Sequence, residues 1–415
     1  MNTEQFTDHA PGRLVPCELR EVRVKNGIEE LAGIRLSAFV ANPLPPDIDW
    51  KSIVFNLRPD DSHATHALGR LNGLHKRLGS AAGLLRTLWM REAKLSSEVE
   101  GIETTAEEMV LAGAGRDVGV REQGIEAWNY VRALEHGVGS DLPMCNRLIK
   151  EMHFHLLKGV RGDENRPGEF RQDPVFIGNK ELGPRRARFI PAPPGELLEQ
   201  SMADFEQFAH NYPKEIPPLF AIALMHYQFE TIHPFRDGNG RIGRVLISRS
   251  LVKENLLDHP VVYMSAYINE HKQEYVDRLL AVSTRGEWEA WIRFMITAIA
   301  TQCEDAIARS EALISLQAEY RARTASYDSS INLQTLVDKL FEQPAINAAE
   351  VSSLLSVTPP TAYRYLESLE ETGILKEYTG KSRNRDWIAP GVLAVIHTHN
   401  PVDIKPESER EARLS

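Results

Sequence analysis

The sequence has few cysteines and lacks the patterns of an exported or membrane protein. Its 415 residues include three cysteines, Cys17, Cys145 and Cys303, without a Cys-x-x-Cys pair, which argues against a disulfide framework and a thiolate metal site. No apolar run is long enough to span a bilayer, and the N-terminus lacks a basic stretch followed by an apolar core. We therefore expect a cytoplasmic protein with no membrane partner.

An excess of positive charge is also missing. The formal net charge is −10, which excludes a general electrostatic attraction to nucleic acid or anionic membrane, so any DNA contact must come from a local basic patch. The apolar content of 42% and the charged content of 26% are ordinary for a globular protein. A chain of this length is expected to form about two to three domains.

Helical periodicity runs through most of the chain. It covers residues 64–110, 121–158 and 270–320, so the fold class is expected to be mainly α. Residues 1–60 are rich in proline and glycine and predict an irregular segment. The predicted organisation is an N-terminal region at 1–120, a core at 121–322, a linker at 323–330, a small domain at 331–395 and a disordered tail at 396–415.

One glycine-rich segment lies between two predicted helices. Residues 217–230 are apolar nearly all round after a proline pair, which is typical of a buried helix, and a second helix is expected from about Gly240 to Leu256. The segment between them, residues 233–244, reads His-Pro-Phe-Arg-Asp-Gly-Asn-Gly-Arg-Ile-Gly-Arg. Its backbone amides precede a helix N-terminus, which is a favourable place for an anion.

The residue types of this segment fit the phosphate chain of a nucleotide. Gly238, Asn239 and Gly240 allow the backbone to approach an anion closely. Arg241 and Arg244 lie three residues apart near one face of the first turn, where guanidinium groups pair with phosphate oxygens in forked geometry. Together these five residues predict a phosphate-binding site.

Two further residues of the segment predict a reaction. Asp237 is able to hold a Mg²⁺ ion that bridges phosphates. His233 is the nearby group that accepts a proton from an attacking hydroxyl at neutral pH, because a free imidazole has a pKa near 6.5. Each residue alone is more often a turn former or a packed side chain, so the prediction depends on their combination.

The segment resembles the signature of the Fic family, His-Pro-Phe-x-Asp/Glu-Gly-Asn-Gly-Arg-x-x-Arg, and every fixed position is filled. The resemblance implies a helical core that binds ATP and Mg²⁺ and transfers AMP to a Ser, Thr or Tyr hydroxyl of a protein. It assigns His233 as the base and Asp237 as the metal ligand. It assigns five residues to the ATP phosphates: Gly238, Asn239, Gly240, Arg241 and Arg244.

Residues 161–194 and 263–275 extend the resemblance. The first range contains Arg-Pro-Gly-Glu-Phe-Arg-Gln-Asp-Pro-Val-Phe-Ile-Gly and Phe-Ile-Pro-Ala-Pro-Pro, which are similar to the family's flap, a short β-hairpin able to hold a target peptide by main-chain pairing. The second range is similar to a region near the adenine and implicates Tyr267 and Tyr275. The related Doc toxins, which are associated with phosphate transfer, have Lys where this chain has Gly240, which argues against that reaction.

A motif upstream of the core predicts a built-in inhibitor. Residues 96–101, Ser-Ser-Glu-Val-Glu-Gly, match the pattern Ser/Thr-x-x-x-Glu-Gly/Asn that marks an inhibitory helix in Fic-like proteins. A Glu100 carboxylate that pairs with Arg244 would replace the ATP γ-phosphate and leave ATP in an unproductive pose. The same carboxylate would align a water molecule and favour the removal of AMP from a modified protein. Without this resemblance, Glu100 would be an ordinary solvated residue at a helix end.

The C-terminal residues 331–395 resemble a winged helix-turn-helix domain. The pattern predicts helices at Asn347–Leu355 and Thr358–Thr372 and a hairpin-like piece that ends at Ile388. Side chains placed to meet DNA are Thr358, Thr361, Tyr363, Arg364, Lys381, Arg383 and Arg385. Because residues 358–388 contain five basic and five acidic side chains, a domain that docks a protein or forms a homodimer has nearly equal support.

The sequence thus favours a protein adenylyltransferase that modifies a protein partner and also itself. The alternative is a DNA-binding regulator whose Fic-like core only senses a nucleotide. A third hypothesis keeps the enzyme but replaces ATP by another nucleotide diphosphate donor. The first is favoured because His233, Arg241 and Arg244 are all present, whereas a core that had lost its activity would be expected to lose one of them.

Overall fold

The computed structural model describes residues 1–25, 28–78, 82–116, 120–160, 166–327, 331–380 and 385–398. In this part of the chain the fold is mainly helical, as predicted. The helices are α1 Trp50–Leu78, α2 Ala82–Val99, α3 Ala106–Gly113, α4 Glu122–Gly139, α5 Asn146–Leu157, α6 Glu196–Asn211, α7 Pro218–Ile232, α8 Asn239–Lys253, α9 Met264–Glu270, α10 Lys272–Arg285, α11 Trp288–Tyr327, α12 Ile331–Glu342, α13 Ala348–Leu355, α14 Pro359–Glu371 and α15 Pro390–His397. The strands are β1 Gly12–Lys25, β2 Ile28–Ala41, β3 Ala345–Asn347, β4 Lys376–Glu377 and β5 Asp386–Ile388. None of the described helices combines the length and apolarity needed to cross a membrane.

Two compact units interleave along the chain, whereas the sequence predicts consecutive domains. The first unit comprises the described residues of Met1–Thr65, Arg132–Leu256 and Ile268–Ala300. The second comprises the described residues of His66–Val131, Leu257–Tyr267 and Thr301–Ser415. The glycine-rich segment 233–244 belongs to the first unit, and Glu100 belongs to the second.

Helix α7 forms the centre of the first unit, as its sequence predicts. It begins after Pro217, and nearly all its side chains are buried because it is apolar on every face. The indole N–H of Trp291 donates to the Ala223 carbonyl at 2.9 Å and ties α11 to α7. Helix α8 packs against α7, so the segment that joins them is held at both ends by buried helices.

The prediction of an irregular segment at residues 1–60 is wrong. Strands β1 and β2 form an antiparallel hairpin with register Gly12↔Ala41 to Lys25↔Ile28, and α1 begins at Trp50. Cys17 and Leu19 are buried while the neighbouring Pro16 is exposed, so the alternation of a half-buried strand outweighs the proline and glycine content. Because β1 is an edge strand, it tolerates a proline.

The predicted flap hairpin is reduced to a single bridge. Within residues 166–192, Ile177 and Phe189 pair in antiparallel fashion, and two 3₁₀ turns at Lys180–Leu182 and Pro184–Arg186 join them. On the other side, the Phe39 N–H of β2 donates to the Ile190 carbonyl at 2.8 Å. A small apolar cluster packs the hairpin of β1 and β2 against this flap. Its buried members are Cys17, Leu19, Ile34, Ala38, Ala187 and Ile190.

Helix α2 packs against several other helices of the second unit. Helices α12 and α15 pack along it. Arg91 of α2 is buried, and its Nη1 donates to the carbonyls of Ile396 at 2.9 Å and Thr398 at 3.2 Å. Burial lowers the pKa of Arg91 to about 10. The helix that ends just before Glu100 is therefore fixed to the C-terminal helix of the described chain.

The C-terminal region contains the predicted elements, with two boundary corrections. Helix α11 continues to Tyr327, so residues 323–327 are helical rather than part of a linker, because the Thr324 hydroxyl is buried and donates to the Tyr320 carbonyl at 3.0 Å. Helix α15 extends to His397, so the predicted tail does not begin at residue 396; residues 399–415 lie outside the described part. The short strands form a sheet in the order β3-β5-β4.

Candidate active site

His233 terminates α7 in a conformation that fixes its imidazole. Its backbone is left-handed, with φ 52° and ψ 59°, and its N–H donates to the Phe229 carbonyl at 2.9 Å. The Nδ1 atom lies 3.3 Å from the Glu230 carbonyl oxygen. Because a carbonyl only accepts, Nδ1 carries the proton and Nε2 has the lone pair. In this tautomer Nε2 is the nitrogen that is able to accept a proton.

Asn239 holds the loop that follows His233 in a closed form. Its Oδ1 accepts the Phe235 N–H at 2.8 Å, and its Nδ2 donates to the Phe235 carbonyl at 2.8 Å. Gly238 has a φ of 76°, and a Cβ there would lie 3.1 Å from Leu156 Cδ2, so only glycine fits without strain. The side chain of Asn239 thus shapes the loop, and only its backbone N–H is placed to meet an anion.

The first turn of α8 concentrates positive charge. It begins at Asn239, and the N–H groups of a first helical turn have no acceptor within the helix. Arg241 and Arg244 are each only 1% exposed. Both were predicted from the sequence as phosphate ligands, and the structure places both in the same turn next to the loop. Such a turn attracts an anionic group.

The Asp237 carboxylate lies at the open side of this turn. Its side chain is 48% exposed, and Oδ1 lies 3.9 Å from Arg241 Nη2 and accepts the Gly238 N–H at 2.8 Å. Among the described residues, no group of three or more His, Cys, Asp and Glu side chains is arranged to hold a metal. A single carboxylate such as that of Asp237 is compatible with Mg²⁺, because this ion keeps several waters and binds one or two carboxylates together with substrate phosphates.

His153 supports the loop and was not predicted from the sequence. Its Nδ1 accepts the Gly168 N–H at 2.8 Å, so Nε2 carries the proton and donates to the Asp237 carbonyl at 3.0 Å. The ring stacks on Phe235 with centroids 3.7 Å apart. Burial lowers the pKa of His153 to about 4, so the ring is neutral at physiological pH. The sequence signal that could have found this residue is a histidine on the apolar, buried face of α5.

The two predicted adenine contacts lie in different units. Tyr275, in the first unit, is buried, and its hydroxyl lies 2.8 Å from His226 Nε2. Burial and then the charge of Arg244 lower the pKa of His226 to about 3, so that ring stays neutral. Tyr267 is half-buried in the second unit. An adenine role for either tyrosine stays a prediction.

Glu100 lies in the turn that follows α2, in the second unit. Its side chain is exposed, its N–H donates to the Ser97 carbonyl at 3.1 Å, and Gly101 follows with a φ of 78°. The predicted position of Glu100 at a helix end is thus confirmed. The predicted pairing of Glu100 with Arg244 stays a prediction, since Arg244 belongs to the first unit.

The predicted DNA-contact residues have several partners within their own domain. Arg385 forms an ion pair with Glu367 at 2.7 Å, and its guanidinium lies 4.8 Å from the ring centroid of Trp387. Lys381 and Arg383 lie outside the described residues. The winged-helix assignment and the contact with DNA both stay predictions.

The fold and the site together define a helical domain in which a histidine lies shortly before the N-terminus of a helix with two buried arginines. Comparison with known proteins places this domain. Residues 143–251 match the Fic/DOC family, and residues 60–139 match the N-terminal region of that family. Residues 60–139 and 143–251 of this chain are thus similar to the Fic/DOC family, as the glycine-rich segment predicts.

The curated relatives match only part of the chain. The protein adenylyltransferase Fic of Drosophila willistoni is 29% identical over 148 residues, which cover 35% of this chain and 26% of that protein. The protein of the same name from Aedes aegypti is 30% identical over 148 residues, with the same two shares. The match therefore spans about a quarter of the length of these relatives.

A solved structure shares the fold over most of the chain. The Fic family protein from Desulfovibrio desulfuricans G20 has a TM-score of 0.53 and 19% sequence identity, and the match covers 84% of this chain and 98% of that one. At this level of identity the likeness concerns the fold alone.

Proposed function

We propose that this protein transfers AMP from ATP to a Ser, Thr or Tyr hydroxyl of a protein. The observation that carries the proposal is the position of His233, whose Nδ1 lies 3.3 Å from the Glu230 carbonyl oxygen, an arrangement that leaves Nε2 as the acceptor of the neutral ring. The N-terminus of α8 follows six residues later with two buried arginines. The name of the curated relatives, protein adenylyltransferase, supports the same activity.

The reaction follows from these positions. The hydroxyl oxygen of the target attacks the α-phosphorus of ATP while His233 Nε2 accepts the hydroxyl proton. The bond from the α-phosphorus to the bridging oxygen breaks, and pyrophosphate leaves with the electron pair. Arg241, Arg244 and the N–H groups of the first turn of α8 stabilise the negative charge that develops on the phosphates. Gly238, Asn239 and Gly240 form the backbone wall of that site.

Asp237 is the residue that would hold Mg²⁺. Its Oδ1 is engaged by the Gly238 N–H, and Oδ2 makes no hydrogen bond to a described residue. A bound Mg²⁺ would neutralise charge on the phosphate oxygens. The helix N-terminus and the two arginines suit the phosphates of a nucleotide, and the Asp237 carboxylate suits the metal that accompanies them. A site for an anion without a metal would not need this carboxylate.

We further propose that Glu100 restrains this activity. A carboxylate paired with Arg244 occupies the place of the ATP γ-phosphate, so that AMP transfer is slow until the pair separates. The same carboxylate, by aligning a water, would favour hydrolysis of AMP from a modified protein, including from this protein itself. Support comes from the motif at residues 96–101 and from the position of Glu100 in the turn after α2, a helix that Arg91 fixes to the C-terminal helix.

The target and the activity are tested together by mass spectrometry. The purified protein is incubated with ATP, Mg²⁺ and a cell extract, and we expect peptides that carry one AMP on a hydroxyl side chain. The extract incubated with His233→Ala protein is the control and should lack these peptides. If the two incubations give the same modified peptides, the modification does not come from this protein, and the proposal is wrong.

We also propose a contact between the C-terminal region and DNA, and the predicted wing residues provide the test. Replacing Lys381, Arg383 and Arg385 together by alanine is expected to weaken binding of the full chain to double-stranded DNA. The slope of log K against log salt concentration should become shallower by about 0.9 for each phosphate contact that is lost. Fluorescence anisotropy at several salt concentrations measures both. Equal affinity and equal salt dependence of the two proteins would assign the region to protein contacts instead.

A further inference from the structure

Arg171 is a buried cation that contacts both the catalytic loop and the flap. It follows the Arg-Pro-Gly-Glu-Phe segment and is only 5% exposed. Among the described residues no carboxylate pairs with it, and burial lowers its pKa to about 10, so the guanidinium remains protonated at neutral pH. A buried charge is tolerated only where other groups solvate it. Here main-chain carbonyl oxygens do so.

Three successive carbonyls, at the end of α7 and the start of the loop that contains His233, accept hydrogen bonds from Arg171. Its Nε donates to the His233 carbonyl at 2.9 Å, and its Nη2 lies 3.4 Å from the Ile232 carbonyl. The backbone N–H of Arg171 donates to the Pro234 carbonyl at 2.9 Å. The peptide units on both sides of His233 are thereby fixed, and His233 is the residue with the left-handed backbone. Such a conformation in a residue other than glycine persists only where its surroundings determine it.

The same guanidinium holds both ends of the flap. Nη2 donates to the Ala192 carbonyl and Nη1 lies 3.4 Å from the Asp173 carbonyl, so the two contacts lie on either side of the part of the flap that contains the Ile177–Phe189 bridge. Between these ends, the Ile177 N–H donates to the Phe189 carbonyl at 2.8 Å. A single planar group with five donors thus connects the base of the flap to the backbone of His233.

We propose that Arg171 is a positioning residue that sets the distance between the target strand on the flap and the imidazole of His233. This inference rests on the proposed function and on the predicted role of the flap, which must hold the target peptide for the distance to matter. The fork geometry is essential, since a lysine at this position keeps the charge but cannot donate in the fixed directions of a guanidinium. A misplacement of about 1 Å at a reacting group lowers a rate by about a hundredfold.

The test compares Arg171→Lys and Arg171→Gln with a matched control, Arg249→Lys. Arg249 is also a buried arginine of the first unit that donates to a main-chain carbonyl, that of Leu142. With the target protein in hand, kcat for AMP transfer should fall by about a hundredfold in the Arg171 variants while KM for ATP changes by less than about threefold. Arg249→Lys should keep kcat within about threefold of the wild-type value.

Amide hydrogen exchange provides a readout that does not depend on activity. In folded Arg171 variants, the Ile177, Phe189 and Phe235 amides should exchange faster than in wild type, and in Arg249→Lys they should not. If the wild type transfers no AMP but the exchange result holds, the proposed function fails and the link between flap and loop stands. An unchanged kcat together with unchanged amide exchange in a folded Arg171 variant would overturn the proposal. Loss of the fold in both variants would also overturn it, because Arg171 would then stabilise the whole core.

Discussion

Replacing His233 by alanine is expected to lower AMP transfer by a factor of about 10² to 10⁴, the range over which a positioned general base accelerates a reaction. The reason is that the target hydroxyl must lose its proton as the pyrophosphate charge develops, and Nε2 of His233 is held in the basic tautomer. The measurement is the initial rate at saturating ATP with label on the α-phosphate.

The matched control for this substitution is His210→Ala. His210 is an exposed histidine at the end of α6 and has no part in the site. Its replacement should leave the rate unchanged. Nucleotide binding, measured by calorimetry, should be nearly equal in wild type and His233→Ala, because His233 acts on the hydroxyl and not on the phosphates. A rate within about threefold of wild type in folded His233→Ala protein would remove the histidine from the mechanism.

Replacing Glu100 by glycine is expected to raise AMP transfer, including transfer to the protein itself. Arg244 cannot pair with a carboxylate and a γ-phosphate at once, so loss of the carboxylate leaves it available to ATP. A charge-assisted hydrogen bond contributes about 1.5–3 kcal/mol, which corresponds to a roughly ten- to hundredfold increase in productive occupancy. The rate is measured at one fixed ATP concentration with the same target.

Two further variants separate the charge of Glu100 from effects on the chain. Glu100→Gln removes only the charge and should also raise the rate, whereas Glu103→Gly, at an exposed glutamate in the same loop, should not. Thermal unfolding should change little in all three, because exposed substitutions usually alter stability by about 0.5 kcal/mol or less. An unchanged or lower rate in folded Glu100→Gly would leave Glu100 as an ordinary residue at a helix end.

The helices and the centre of the site could be predicted because their signals are local. The apolar segment at residues 217–230 predicted a buried helix, and α7 is that helix. The glycines and arginines of residues 233–244 predicted an anion site at a helix N-terminus, and α8 begins at Asn239. Backbone conformation, helix period and residue chemistry are all contained in a short stretch of sequence, so these features need no knowledge of distant contacts.

Other features could not be predicted because they depend on contacts between distant segments. The hairpin of β1 and β2 is stabilised by packing on Ala187 and Ile190, which no local pattern shows. Arg171 and His153 meet the loop more than sixty residues along the chain, at the carbonyls of His233 and Asp237. A buried polar residue has the same local sequence whether it supports a core or a reactive loop, and only the fold reveals its partners.

The most direct test of the central claim uses ATP labelled at either of two positions. The protein is incubated with its target and ATP that carries label on the α-phosphate in one sample and on the γ-phosphate in the other. Transfer of AMP predicts label on the target from the α-phosphate only, with the γ label released in pyrophosphate. Label that reaches the target from the γ-phosphate and not from the α-phosphate would contradict the account and show that phosphate, not AMP, is transferred.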